Sequence, residues 1–272
     1  MKLWVRKILA ISFAIIIITP LIWVVISGLR DVSSLLNNPF SLDSDLSFEN
    51  LKVVINLPDF SINLINSILL AILSSIIVII LITPISYTFS RYNFPYKKYI
   101  TTISLFSTYL LAPPVLIFPY FKILSQFGII NSILGILITH IAFSLPFALS
   151  IGKIIYDSVP IEMEKIAIIN NVNTARHLFF KIIFPNIKLQ YIGLFILIFA
   201  ISWKEFFYAF IISTDSKSGT LPVLLGTMYS GEYNHWGVIL ACSSLMILPA
   251  LFLLILSSRI KFQYFLSSTS KE

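Results

Sequence analysis

Residues Leu64–Phe89 read LINSILLAILSSIIVIILITPISYTF, 26 residues without one Asp, Glu, Lys or Arg. At about 1.5 Å of rise per residue such a helix outreaches the ~30 Å hydrocarbon core of a bilayer. The run lacks the period-2 alternation of an outer-membrane barrel strand and is far too long to be one. It predicts a membrane-spanning helix.

Five more stretches of the same kind flank it: Ile8–Gly28, Tyr99–Phe121, Ile133–Ile155, Tyr191–Ser213 and Trp236–Ser258. Over all 272 residues, 57% are hydrophobic and only 11% are charged. No soluble domain hides so much apolar surface behind so little polar surface. The expectation is an all-α integral membrane protein, one domain over residues 1–272 with six transmembrane helices. Lys2, Arg6 and Lys7 precede the first span, which is about twice the length of a signal-peptide core and has no small-x-small cleavage site before Arg30. It reads as a retained first helix.

Counting charge loop by loop orients the chain. With the N-terminus inside, Lys2, Arg6, Lys7, Arg91, Lys97, Lys98, Lys153, Lys165, Arg176, Lys181, Lys188, Arg259, Lys261 and Lys271 share one side. Arg30, Lys52, Lys122 and Lys217 lie on the other, and Lys204 falls within a span. The excess of basic residues predicts both termini in the cytoplasm. It also accounts for the sequence pI of 9.4 through membrane anchoring and anionic lipid, without nucleic acid.

Little in the chain points to enzymatic chemistry. Cys242 is a single cysteine inside the last span, and His140, His177 and His235 stand in three separate segments without metal-ligand spacing. Gly152-Lys153 lacks the upstream glycine and the following Ser or Thr of a phosphate-binding loop. No catalytic, metal or cofactor site is expected, and any ATP hydrolysis must come from another subunit.

The longest polar interruption on the inner side is PIEMEKIAIINNVNTARHLFFKIIFP, Pro160 to Pro185. Pro160 suits a helix start, and Glu162 and Glu164 favour the positive end of the helix dipole. Asn170-Asn171 supplies a turn, since Asn tolerates the left-handed conformation. A helix lying on the lipid headgroups is the plainer reading of such a segment.

The segment resembles the ATPase-coupling loop of binding-protein-dependent ABC importer permeases. That loop begins with a proline, acidic residues and alanines, turns at Asp-Gly, and closes on Phe-x-x-Ile-x-Leu-Pro. Pro160, Glu162, Glu164, Ala167, Phe179, Ile182 and Pro185 match it, with Asn170-Asn171 in place of Asp-Gly and Lys165 beside the acidic pair. Further similarity runs along nearly the whole chain. It includes SFENLKVV (Ser47–Val54), Asn66-Ser67, Tyr87, Arg91, Phe94 and Lys97 or Lys98 in ISYTFSRYNFPYKK, and the Pro-rich Leu110–Ile136. WKEF (Trp203–Phe206), TLPV (Thr220–Val223) and HWGVILACSSLMILP (His235–Pro249) complete it. The pattern is similar to MetI-like carbohydrate ABC transporter permeases of the maltose-transporter, second-permease type.

That resemblance implies an importer bundle with a second permease subunit, two ATP-binding-cassette ATPase subunits and an extracytoplasmic solute-binding protein as partners. It implies that Glu164 contacts the ATPase and that sugar crosses by alternating access. A glycerol-phosphate or other small polar solute remains open as cargo. A secondary transporter or channel working alone would carry internal repeats or charged relays, which the sequence lacks. Trp203, Lys204 and Glu205 are candidates for the pathway or gate, because full charge inside a span is costly. Snorkelling to the outer interface is the competing reading for Lys204 and Glu205.

Overall fold

A computed structural model describes residues 3–40, 46–110, 113–170, 174–230 and 236–258. Asn171, His235 and the basic residues Lys2, Arg259, Lys261 and Lys271 lie outside these. The described chain is helical, with an isolated antiparallel bridge between Arg30 and Leu46. It begins with α1 (Leu3–Gly28), α2 (Val32–Asn37), α3 (Glu49–Ile55) and α4 (Phe60–Arg91). Next come α5 (Lys97–Leu110), α6 (Pro113–Gln126), α7 (Ile133–Asp157) and α8 (Ile161–Ile169). A short α9 (Ala175–His177) leads through a π-helical turn (Leu178–Ile183) into α10 (Phe184–Trp203). The chain closes with α11 (Phe207–Ile212), α12 (Leu221–Ser230) and α13 (Trp236–Ser258).

Five of these stretches are long and apolar enough to cross a membrane: Lys7–Gly28, Phe60–Arg91, Ile133–Asp157, Leu178–Trp203 and Trp236–Leu253. They carry the expected first, second, fourth, fifth and sixth spans.

The expected third span, Tyr99–Phe121, falls on α5 and α6, 14 residues each, and residues 111 and 112 between them lie outside the described ones. Neither half alone has the ~20 residues a crossing needs. Pro113 and Pro114 begin α6, where the N–H donors they lack have no helical partner.

The fifth span also departs from expectation. Its helix starts earlier, through the π turn, and stops at Trp203 rather than Ser213. The Phe184 N–H reaches the Phe179 carbonyl across that wide turn. Pro185, next in the chain, has no N–H for the Lys181 carbonyl and its ring would crowd it, so the widening falls where a regular turn is blocked.

Two compact units divide the chain. One comprises the described parts of Met1–Leu64 and Thr220–Phe252. Within it α1 meets α13 closely enough that a Cβ on Gly28 would lie 2.8 Å from the Ala241 backbone. Asn50, in the Ser47–Val54 motif, donates to the Gly28 and Arg30 carbonyls at 3.2 and 2.8 Å. Arg30 is buried and donates to the Ser34, Asn38 and Pro39 carbonyls. It thus ties α2 and the turn after it to the end of α1, a packing role in addition to the outer-side anchor read from charge.

The other unit comprises the described parts of Ile65–Gly219 and of Leu253–Glu272. Its core joins Val78 and Ile82 of α4 to Ala148, Ile155 and Tyr156 of α7. The α10 stripe Ile187, Tyr191, Leu194 and Ile198 completes it, at the spacing of one helix face. Small residues let the helices approach, as membrane bundles require. A Cβ on Gly152 would lie 2.9 Å from Ile82 Cδ1, and the Ser86 hydroxyl donates to the Leu149 carbonyl at 3.3 Å. At one end of this unit Asn66 donates to the Lys217 and Gly219 carbonyls, and Asn131 accepts from the Thr214 N–H and hydroxyl. At the other end stand Arg91, Asp157 and α8.

Candidate functional site

The loop quoted above forms α8 and the turns that lead into α10. Pro160 occupies the N-cap position in an extended conformation, φ −58° and ψ 131°. Asn170 caps the other end, its side chain donating to the Ile166 carbonyl at 2.9 Å. With φ −85° Asn170 does not enter the left-handed region, and Asn171, the other half of the expected turn, lies outside the described residues.

Helical spacing sorts the site residues onto two faces. Glu164 and Ala167, three apart, are buried, while Glu162, Lys165, Ile166 and Ile169 are exposed. Along the second half of the loop Phe179 and Ile182 are half-buried in the π turn, and Pro185 is exposed near the start of α10. Alpha8 packs against the π turn, and Met163, Leu178 and Phe179 join the edge of the hydrophobic core.

Glu164 turns inward, against the end of α4. Its carboxylate accepts from Arg91 Nε at 2.6 Å and pairs with Arg91 Nη2 at 2.5 Å. The Tyr87 hydroxyl donates to its other oxygen at 2.8 Å. The guanidinium donates onward to the Val159 carbonyl at 3.0 Å and to the Ser90 hydroxyl at 3.1 Å. Ser90 in turn donates to Asp157, which pairs with Lys153 at 2.5 Å. The side chains of Arg91 and Glu164 are only 10% and 7% exposed.

The sequence reason is periodicity. Tyr87 and Arg91 stand four apart at the end of α4 and so share a face, and α8 lays its single inward carboxylate against that face. Tyr87 meets Tyr156 edge to face at 5.5 Å, and Tyr156 meets Tyr191 at 6.3 Å. The carboxylate is therefore continuous with the core. Ala167 is likewise buried within this chain.

A second polar cluster lies at the break after α10. Glu205 is buried and accepts the Tyr208 N–H at 2.9 Å and the Ala209 N–H at 3.2 Å, capping α11. His140 Nε2 of α7 stands 3.3 Å from the same carboxylate, and its Nδ1 stands 2.6 Å from the Ser202 hydroxyl. Snorkelling is therefore excluded for Glu205, which turns inward; Lys204 is exposed. Trp203 is buried and stacks on Phe199 at 6.0 Å. His140 had no signal in the sequence. No group of three His, Cys, Asp or Glu able to hold a metal occurs among the described residues.

No protein-family model matches the chain. It is 28% identical to the inner membrane ABC transporter permease protein YcjP of Escherichia coli K12, over 71% of this chain and 69% of the relative. It is 26% identical to the diacetylchitobiose uptake system permease protein NgcG of Streptomyces coelicolor, over 89% and 80%. A trehalose/maltose transport system permease protein, MalG of Thermococcus litoralis, is 25% identical over 91% and 89%. In fold, the chain is similar to one from the crystal structure of a bacterial ABC transporter involved in the import of the acidic polysaccharide alginate. The TM-score is 0.74 at 19% identity, covering 94% of each chain. The resemblance read from the sequence motifs is borne out by these matches: along most of its length the chain is similar to sugar-transport permease subunits of ABC transporters.

Proposed function

We propose that this chain forms half of the membrane pathway of a carbohydrate importer. A second permease subunit completes the pathway, two ATP-binding-cassette subunits drive it, and an extracytoplasmic solute-binding protein delivers the sugar. Support for the cargo comes from relatives named for diacetylchitobiose uptake and trehalose/maltose transport. The orientation rests on the excess of Lys and Arg on one side, which puts α8 and both termini in the cytoplasm. Alpha5 and α6 together make the sixth crossing, so that residues 1–272 form one permease domain.

The observation that carries the mechanism is the two-faced α8. Its inner face is fastened to the end of α4 by the Arg91–Glu164 pair, while Glu162, Lys165, Ile166 and Ile169 face outward. Ile166 and Ile169 are 58% and 79% exposed, apolar surface suited to a protein cleft. ATP-driven closure of the cassettes moves α8, and the buried pair passes that displacement to α4 rather than letting the helix roll. The break at Lys204–Phe206, held by Glu205 and His140, gives the fifth span a point at which to bend. In that form Trp203, Lys204 and Glu205 serve the gate.

Ile166→Glu with Ile169→Glu tests the reading. The double variant should reach the membrane at normal levels, lose the ATPase on purification, and lose sugar uptake. Undiminished uptake with the ATPase still bound refutes the docking role. Orientation is checked separately in a Cys242→Ala background. Cysteine at Thr214 should react with an impermeant thiol reagent from outside, and cysteine at Glu162 should not.

A further inference from the structure

We infer that the cleft at the start of α5 is a binding site for the phosphate headgroup of an anionic phospholipid. The cleft, of about 520 Å³, is lined by Lys97, Lys98, Lys153, Tyr96, Tyr99 and Thr102 among others. Three lysines therefore line one cleft. Lys153 is partly neutralised by Asp157 at 2.5 Å. Lys97 is held by neutral acceptors: the Tyr92 carbonyl at 2.9 Å, and the Ser90 carbonyl and Asn93 side chain at 3.4 Å. Its position is fixed while its charge remains. Lys98 is exposed, and no acidic side chain pairs with it among the described residues. One carboxylate against three cations leaves a positive site that an anion completes.

The geometry favours a lipid over a free anion. Tyr99, Ile103 and Phe106 are 68%, 64% and 51% exposed and stand at i, i+4 and i+7, so they form one apolar stripe along α5 leading away from the lysines. A phosphate with acyl chains attached satisfies both parts: the headgroup meets the lysines and tyrosines, and a chain lies along the stripe. Tyrosine at such a boundary suits the headgroup level. The inference asks of the preceding reading only that this end of the bundle lie at a membrane surface.

Native mass spectrometry tests it on the full chain, purified in detergent with the subunits that accompany it, delipidated, and titrated with phosphatidylglycerol or phosphatidylcholine. Phosphatidylglycerol should bind the tighter. Lys98→Ala should weaken it about fivefold and Lys98→Glu about 25-fold, with phosphatidylcholine little changed, from the attraction typical of one basic residue at an anionic surface. Lys98→Arg should bind as wild type, which separates loss of charge from loss of fold. Ile103→Ser should weaken phosphatidylglycerol through the stripe. Unchanged phosphatidylglycerol binding in Lys98→Glu overturns the site. Displacement of the lipid by millimolar inorganic phosphate, with Ile103→Ser silent, assigns the cleft to a soluble phosphate and overturns the lipid. Loss of the ATPase in Lys98→Glu without loss of lipid assigns it to an acidic face of the partner and likewise overturns the proposal. These readouts need neither uptake nor ATP hydrolysis, so their failure leaves the importer reading standing.

Discussion

Replacing Glu164 by Leu while Arg91 remains takes away a carboxylate that receives two bonds from the guanidinium and one from the Tyr87 hydroxyl. The guanidinium, 10% exposed, keeps only the Val159 carbonyl and the Ser90 hydroxyl. Removing one partner of a buried pair costs about 3–5 kcal/mol, because the other charge is left uncompensated. The neighbouring Lys153–Asp157 pair gives an internal scale. Its side chains are 21% and 42% exposed, so Asp157→Asn should cost less than about 1 kcal/mol.

Removing Glu164, Arg91 and Tyr87 together, as Glu164→Leu, Arg91→Met and Tyr87→Phe, leaves no stranded charge or hydroxyl. It should recover most of the lost stability. Stability is read from the helical circular-dichroism signal of the purified protein during titration with sodium dodecyl sulfate. The pattern expected is a large loss for Glu164→Leu, a small one for Asp157→Asn and a partial return in the triple variant. A Glu164→Leu protein no less stable than Asp157→Asn refutes the account of α8 as fastened through this pair.

Glu205→Ala removes the acceptor for the Tyr208 and Ala209 N–H groups and should cost about 1–2 kcal/mol in the same titration, as lost caps do. Lys204→Gln, at an exposed position, should be silent in stability. Gly152→Leu drives side-chain atoms into Ile82 and Ser86 and should cost at least about 1–3 kcal/mol, seen as reduced folded protein in the membrane. Gly28→Val should be worse tolerated than a change at Gly193, because Gly28 faces the Ala241 backbone while nothing lies within 4 Å of a Cβ on Gly193.

Spans announce themselves by length and apolarity, which are properties of the chain read in order, so the helical membrane architecture was legible before any contact was known. Breaks were half-legible. The start of α6 at Pro113-Pro114 was legible, since a proline lacks a backbone donor wherever it stands. The end of α10 at Trp203 was not, because its cause is a side chain, Glu205, capping the N–H groups of Tyr208 and Ala209. A capping carboxylate and a pathway carboxylate look alike in sequence.

Motif spacing carried the resemblance to ABC-transporter permeases and the expectation of a coupling loop, because both depend on the order and separation of residues along one stretch of chain. What each loop residue touches depends on which helix end it is folded against. Glu164 lies 73 positions from Arg91 and 77 from Tyr87, and His140 lies 65 from Glu205. Each residue by itself reads as an acidic helix start, a basic topological anchor, an interfacial tyrosine or a stray histidine. In a bilayer-sized bundle the cost of burying charge selects among the possible pairings. Only the packing of α4, α7, α8 and α10 decides which carboxylate turns inward to a guanidinium and which residues of the same helix turn out.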